Sequence, residues 1–377
     1  MPLNQLSQKA EEYLNKLCVE ISSRRVGSQE NLEATDFFAM VMKSFGFETE
    51  SPQFECMDWR YGESQLRVGG ESFEAIPSPY SLGCQVQGEL VTASTLAELE
   101  GIQAKDKVLL LRGEIVQEQL MPKNFTFYNP EHHQHIVHLL ETKKPLAIMA
   151  ATGRTPDLAG GLYPFPLIED GDFDIPSVYM KDVVGDLLIQ QIGQEVTLVS
   201  EAERIPATGC NVIARRGEKE QKLVVCAHID AKIDTPGAID NGGGVVVLLL
   251  LAELLADYDG ELGVELVAFN GEDYYSAAGQ VHYMQTNQDT FDQIVLAINI
   301  DAAGYIEGHT AYSLYECPEE ITAAAHQALS EYADIREGVQ WYQSDHMIFV
   351  QAGKPAMAIT SDQFEWLSTY ILSLIHI

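Results

Sequence analysis

The segment LVVCAHIDAKIDTPGAIDNGGG, Leu223 to Gly244, sets His228 and Asp240 at either end of a short loop punctuated by glycine and proline. NGEDYY adds Glu272 and Asp273, AINIDAAGY adds Asp301, and SDHMIF adds His346. Imidazole nitrogen and carboxylate oxygen suit zinc, and a carboxylate has two oxygens with which to bridge two ions. Two ions about 3.5–4 Å apart can activate a water and hold a substrate oxygen. A nearby carboxylate that binds neither ion must then take the proton from that water. Glu272 and Asp273 are adjacent and point different ways, so one can ligate while the other stays free as the base. Asp230 also fits, because a metal-bound imidazole usually gives its second N–H to a carboxylate, here two residues after His228. The set reads as that of a two-metal hydrolase.

The elements that must position these residues are legible around them. His228 follows the apolar run LVVCA, Glu272 and Asp273 follow VELVAF, and Asp301 follows IVLAIN. His346 precedes a fourth run, PAMAIT, and Asp240 opens the apolar helix that contains VVVLLLLAELLA. Continuous apolar strands suit a central sheet covered on both faces. In such sheets ligands bind beyond the carboxyl ends of the strands. Upstream, Leu6, Ala10, Tyr13, Leu14, Leu17, Cys18 and Ile21 repeat at helical spacing. A second helix follows, with Ser28 as N-cap, an apolar face of Ala34, Phe37, Phe38, Val41, Met42 and Phe45, and Gly46 as its stop. From about Phe73 to Arg204 the chain reads as a separate mixed α/β lobe without a strong catalytic cluster. The predicted organisation is a catalytic domain begun by residues 1–72, an inserted lobe at 73–204, and the main catalytic part at 205–377.

Of the 377 residues, 23 are basic and 56 acidic, for a formal charge of -33. Such a surface repels nucleic acid and anionic lipid, so neither is an expected partner. The N-terminus lacks an apolar core of signal-peptide length, and Val245–Ala256 is too short to span a bilayer. Six cysteines without CxxC spacing read as reduced thiols, and the protein is expected in the cytoplasm. Gly242–Gly244 before a helix could be a phosphate cradle, but without a following Lys-Ser or Lys-Thr it reads as close backbone packing beside the metals. EHHQHIVH, with His132, His133, His135 and His138, reads as a solvated helix start rather than an additional metal site.

AHID, GAIDNGGG, NGED, INIDAAG and SDHMIF, in this order, resemble the successive metal motifs of the co-catalytic zinc aminopeptidase family. RRVGSQENLEATDFF resembles that family's opening turn and helix, so the likeness covers most of the chain. It implies an α/β fold, a mixed central sheet with helices on both faces shared with zinc carboxypeptidases and phosphorylase/hydrolase-like folds. QGELVTASTLAELEG with the KVLLLRG and PLAIMAATG strands looks like a protease-associated (PA) domain, which in this family is inserted here and covers or restricts the cleft. By the same resemblance two Zn2+ ions (or Mn2+ or Co2+) are expected. His228 and Asp301 would hold one, Asp273 and His346 the other, and Asp240 would bridge them. Glu272 would be the general base acting on a metal-bridging water, and Asp230 the partner of His228. The implied activity is removal of N-terminal residues from peptides. A carboxypeptidase- or dipeptidase-type relative would need a cation for the substrate carboxylate, and Arg336 is the only arginine in the last metal-bearing segment. A non-catalytic binding protein would have lost ligands or base, whereas all six positions are filled. Asp273 stands where many relatives carry Glu, and relatives continue past TSDQFEWLSTYI where this sequence closes on LSLIHI, an ending expected to be truncated.

Overall fold

The computed structural model describes residues 3–21, 23–152 and 166–367. The expectation about the closing LSLIHI lies outside them. Two compact units divide the chain, Met1–Cys56 with Ala207–Ile377, and Met57–Pro206.

In the first unit the strands are Glu48–Glu50 (β1), Val212–Arg216 (β2), Lys222–His228 (β3), Gly263–Phe269 (β4), Ile294–Ile300 (β5), Thr310–Tyr315 (β6), Ile335–Glu337 (β7) and Ala356–Ser361 (β8). They form one sheet in the order β1-β2-β4-β3-β5-β8-β6-β7. The central strands β4, β3, β5 and β8 run parallel, while β2 and β6 pair antiparallel at their flanks. His228 and Phe269 lie side by side at the ends of β3 and β4, so the loops after both strands leave the sheet at the same edge.

The helices are Leu3–Asn15 (α1), Gln29–Ser44 (α2), Gly243–Leu254 (α3), Ala278–Asn287 (α4), Glu319–Leu329 (α5) and His346–Gln351 (α6). Ser28 caps α2, its hydroxyl accepting the Asn31 N–H at 3.1 Å. Leu17, Phe38, Met42, Val245, Leu248 and Leu249 pack with Val264, Leu266 and Ala268 of β4 in one apolar core. On the opposite face Phe269 meets Tyr283 of α4 and Phe349 of α6. Each fully buried Leu of α3 contributes about 1.5–3 kcal/mol relative to exposure. The result is a mixed sheet covered on both faces, as read from the apolar runs.

The second unit has its own mixed sheet. Within it Cys84–Ala93, Val108–Leu111, Ala147–Thr152 and Ser177–Lys181 run parallel, and the strand Glu195–Cys210, most of which lies in this unit, pairs antiparallel with Cys84–Ala93. Leu109, Leu111, Ile148 and Ala150 face one core, while Val108, Leu110, Ala147 and Met149 face another. Gly69 and Gly70 turn the chain into the short strand Glu71–Phe73 with positive φ values of 58° and 91°.

Candidate metal centre

His228 ends β3 and is fully buried. Its Nε2 lies 3.0 Å from Asp240 Oδ1, 3.5 Å from Asp301 Oδ1 and 3.8 Å from Glu272 Oε2. Two clusters of donor atoms form around it, His228 with Asp240 and Asp301, and His228 with Glu272 and Asp273. His346 opens α6 at the same end of the sheet, is fully buried, and belongs to neither cluster. Its Nε2 faces the Trp341 carbonyl at 3.0 Å, which leaves Nδ1 as the lone-pair nitrogen.

Asp230 does more than approach the imidazole. Its carbonyl lies 3.2 Å from His228 Nδ1, closer than its carboxylate at 3.7 Å. The carboxylate instead accepts successive backbone N–H groups from Gly271 at 2.8 Å, Glu272 at 3.3 Å and Asp273 at 2.9 Å. Asp230 thereby ties the loop that follows β4 to the loop that follows β3.

The electrostatics are those of a site built for cations. Asp240, Glu272, Asp273 and Asp301 crowd one imidazole, and the Lys232 ammonium stands 3.8 Å from Asp273 Oδ1. Burial pushes the Glu272 carboxyl well above the usual range, and Asp273, Asp301 and Asp240 push it further while His228 opposes. Burial and then Asp240 raise Asp273 in the same way. His228 rises well above its ordinary value although burial opposes it, because Asp301, Asp230 and Asp240 favour the imidazolium. Burial lowers His346 to about 4. Asp273 Oδ2 and His346 Nδ1 are buried without a hydrogen-bond partner, and His228 Nε2 faces only the carboxylates of the cluster. Burying so many carboxylates is costly unless they are paired or coordinate metal. The N and O donors fit two divalent ions, and zinc among them.

Residues 211–370 match Peptidase family M28, a span that includes every candidate residue from His228 to His346. The chain is 24% identical over 285 residues to a probable lipoprotein aminopeptidase, LpqL, of Mycobacterium tuberculosis, covering 74% of this chain and 54% of that protein. It is 27% identical over 215 residues to the aminopeptidase YwaD of Bacillus subtilis, covering 53% of this chain and 44% of that one. It thus spans about half the length of these curated relatives. The fold is that of BSAP, a zinc aminopeptidase from Bacillus subtilis, with a TM-score of 0.74 at 19% identity over 94% of this chain and 84% of that one.

Supports of the candidate centre that carry no sequence signal come into view with the fold. Asn241, fully buried, donates to the Ile300 carbonyl at 2.7 Å and accepts the Gly244 N–H at 3.1 Å, anchoring the start of α3 to the end of β5. A Cβ on Gly244 would come within 2.5 Å of the Ile300 carbonyl, so the glycine run serves close packing. Ser344, at a positive φ of 81°, donates to Asp301 Oδ2 and accepts from Asn299 at 2.8 Å. Asp345, buried beneath, accepts from Gln280 at 2.8 Å, and burial raises its carboxyl to about 7. In the second unit His132 and His133 gather on Glu118. His133 Nδ1 accepts the Met121 N–H at 3.1 Å, so its proton sits on Nε2 and faces Glu118 as a donor. That tautomer makes a hydrogen-bonded helix start, not a ligand set.

Proposed function

We propose that the chain is a two-zinc exopeptidase, an aminopeptidase that removes N-terminal residues from peptides. The observation that carries this reading is the cluster of Asp240, Glu272, Asp273 and Asp301 on His228, with buried lone-pair atoms on Asp273 and His346 that have no partner of their own. The aminopeptidase names of its relatives support the direction of cleavage. His228 and Asp301 would hold one zinc, Asp273 and His346 the other, with Asp240 shared between them. When bound, the ions supply Lewis acidity to the scissile carbonyl and make water acidic.

The chain's own residues do the rest. Glu272 is the more exposed of the adjacent acids, its side chain 22% accessible against 7% for Asp273. It accepts a proton from the attacking water and returns it to the leaving amine. Asp230 holds the backbone on either side of Glu272 and so fixes the base relative to His228. Residues 73–204 are read as a protease-associated lobe, a reading supported by the apolar strands Val108–Leu111 and Ala147–Thr152. Cysteines scattered without CxxC spacing support a reducing, cytoplasmic compartment.

The test is hydrolysis of aminoacyl amides beside N-blocked peptides, with zinc content measured on the same sample. Cleavage of free-amine substrates alone, with two zincs per chain, is the expected result. Cleavage of N-blocked peptides from their C-terminal end would replace the aminopeptidase with a carboxypeptidase. A folded, zinc-supplied protein that binds none would remove the reading altogether.

A further inference from the structure

We propose that Arg24, assisted by Asn31, is a positioning residue for the metal centre; this inference rests on the two-zinc reading above. Both residues lie outside the segment matched by the family, and neither touches a candidate ligand side chain. Arg24 is 1% exposed, and the partners of its guanidinium are main-chain carbonyls apart from a Cys18 sulfur at 3.7 Å. Nε donates to Ile229 at 2.8 Å, Nη1 to Pro236 at 2.7 Å and Leu17 at 2.8 Å, and Nη2 to Gly237 at 2.8 Å.

Three of those carbonyls belong to the loop that joins His228 to Asp240. One acceptor lies beside Asp230 and two lie just before Asp240, so a single planar group fixes the spacing between the two ends of the loop. The fourth comes from the π-helical turn Lys16–Glu20, which seats the guanidinium from behind. The approach is close. At Gly237, with φ of 54°, a Cβ would stand 2.7 Å from Arg24 Nη2 and 2.5 Å from the Asp240 carbonyl.

The same turn reaches the base. The Arg24 carbonyl accepts from Asn31 Nδ2 at 2.8 Å, and Asn31 pairs with Asn270 through reciprocal amide bonds of 2.9 and 2.8 Å. Asn270 immediately precedes the Gly271–Asp273 backbone on which Glu272 is carried. Arg24 and Asn31 therefore brace the ligand loop and the base loop against each other through contacts separate from those of the Asp230 carboxylate. Burying a guanidinium demands full satisfaction of its donors, and the acceptors chosen are those whose positions matter to the site.

The experiment compares Co2+ affinity, the cobalt absorption spectrum and Tm in the full-length parent, Arg24→Met, Arg24→Lys, Asn31→Ser and Glu265→Gln. Arg24→Met is expected to weaken cobalt binding by about 10- to 100-fold, the range seen when a partner behind a ligand is lost. Its spectrum should change, reporting altered ligand geometry, and Arg24→Lys should recover part of both. Glu265, remote from the ligand loops, serves as a control whose replacement lowers Tm but leaves cobalt affinity and spectrum at parental values. Where Arg24→Met does not fold, Arg24→Lys and Asn31→Ser carry the comparison. Parental affinity and spectrum in those variants, whatever their Tm, would overturn the inference while leaving the two-zinc reading intact. A parent protein that binds neither cobalt nor zinc overturns both.

Discussion

Glu272 and Asp273 are neighbours with the same charge, yet the loop turns one toward partial exposure and the other inward. Replacing Glu272 with Gln keeps the shape and removes the proposed base. Turnover should fall by about 10²–10⁴-fold while zinc affinity stays within a few-fold, as steady-state kinetics and calorimetry would record. The metal-free site also holds extra protons, since the carboxyls of Glu272 and Asp273 and the imidazole of His228 are all raised. Metal must displace those protons, so affinity should fall as pH falls. Binding enthalpy should then vary with the ionisation enthalpy of the buffer. His346, lowered to about 4, is already neutral near pH 7 and adds nothing to this release. Of these residues, the sequence showed those whose types and places at strand ends are unusual together. Asn241, Ser344 and Arg24 were not visible as supports, because a polar side chain that bonds to main chain leaves no periodic or spacing signal.

At the scale of elements, VELVAF reads as an apolar strand interrupted by a charge, and the neighbouring strands explain it. Glu265 on β4 is buried and accepts from Arg215 of β2 at 2.8 Å, Lys222 of β3 at 3.0 Å and Tyr283 of α4 at 2.6 Å. Burial alone would raise its carboxyl, but Lys222, Tyr283 and Arg215 together hold it below the ordinary range. Glu265→Gln should lose about 3–5 kcal/mol in denaturant unfolding, because the buried Lys222 loses its anion and Arg215 keeps only the exposed Glu50. A depressed folded-state pKa means that this stability is present above the unfolded value of about 4.3 and is lost as pH falls through the folded one. The variant should therefore show a shallower loss of stability in acid than the parent. Ser28→Ala, which removes the α2 cap, should cost about 1 kcal/mol in the same assay. The central parallel strands were legible because they are apolar throughout. By contrast β6 and β7 were not, since β6 mixes Ser313 and Tyr312 among its apolar residues and β7 is three residues long and largely exposed.

For the whole molecule, a formal charge of -33 adds to the cost of keeping the metal-free centre together. Chelation should lower Tm, and zinc at about 100 times its dissociation constant should restore about 2.7 kcal/mol, readable by thermal unfolding before and after EDTA. The sequence suggested two units but could not supply their long strands, because Gln53–Val68 and Glu195–Cys210 pair across a wide separation that local patterns do not encode. The dispersal of the centre along the chain has a bearing on biosynthesis. Arg24 emerges from the ribosome early, the loop it braces follows only after the whole Met57–Pro206 unit, and His346 comes more than a hundred residues after His228. No nascent fragment ending before His346 carries the whole proposed donor set, so the site can take its metals only after the last of its separated pieces has been made.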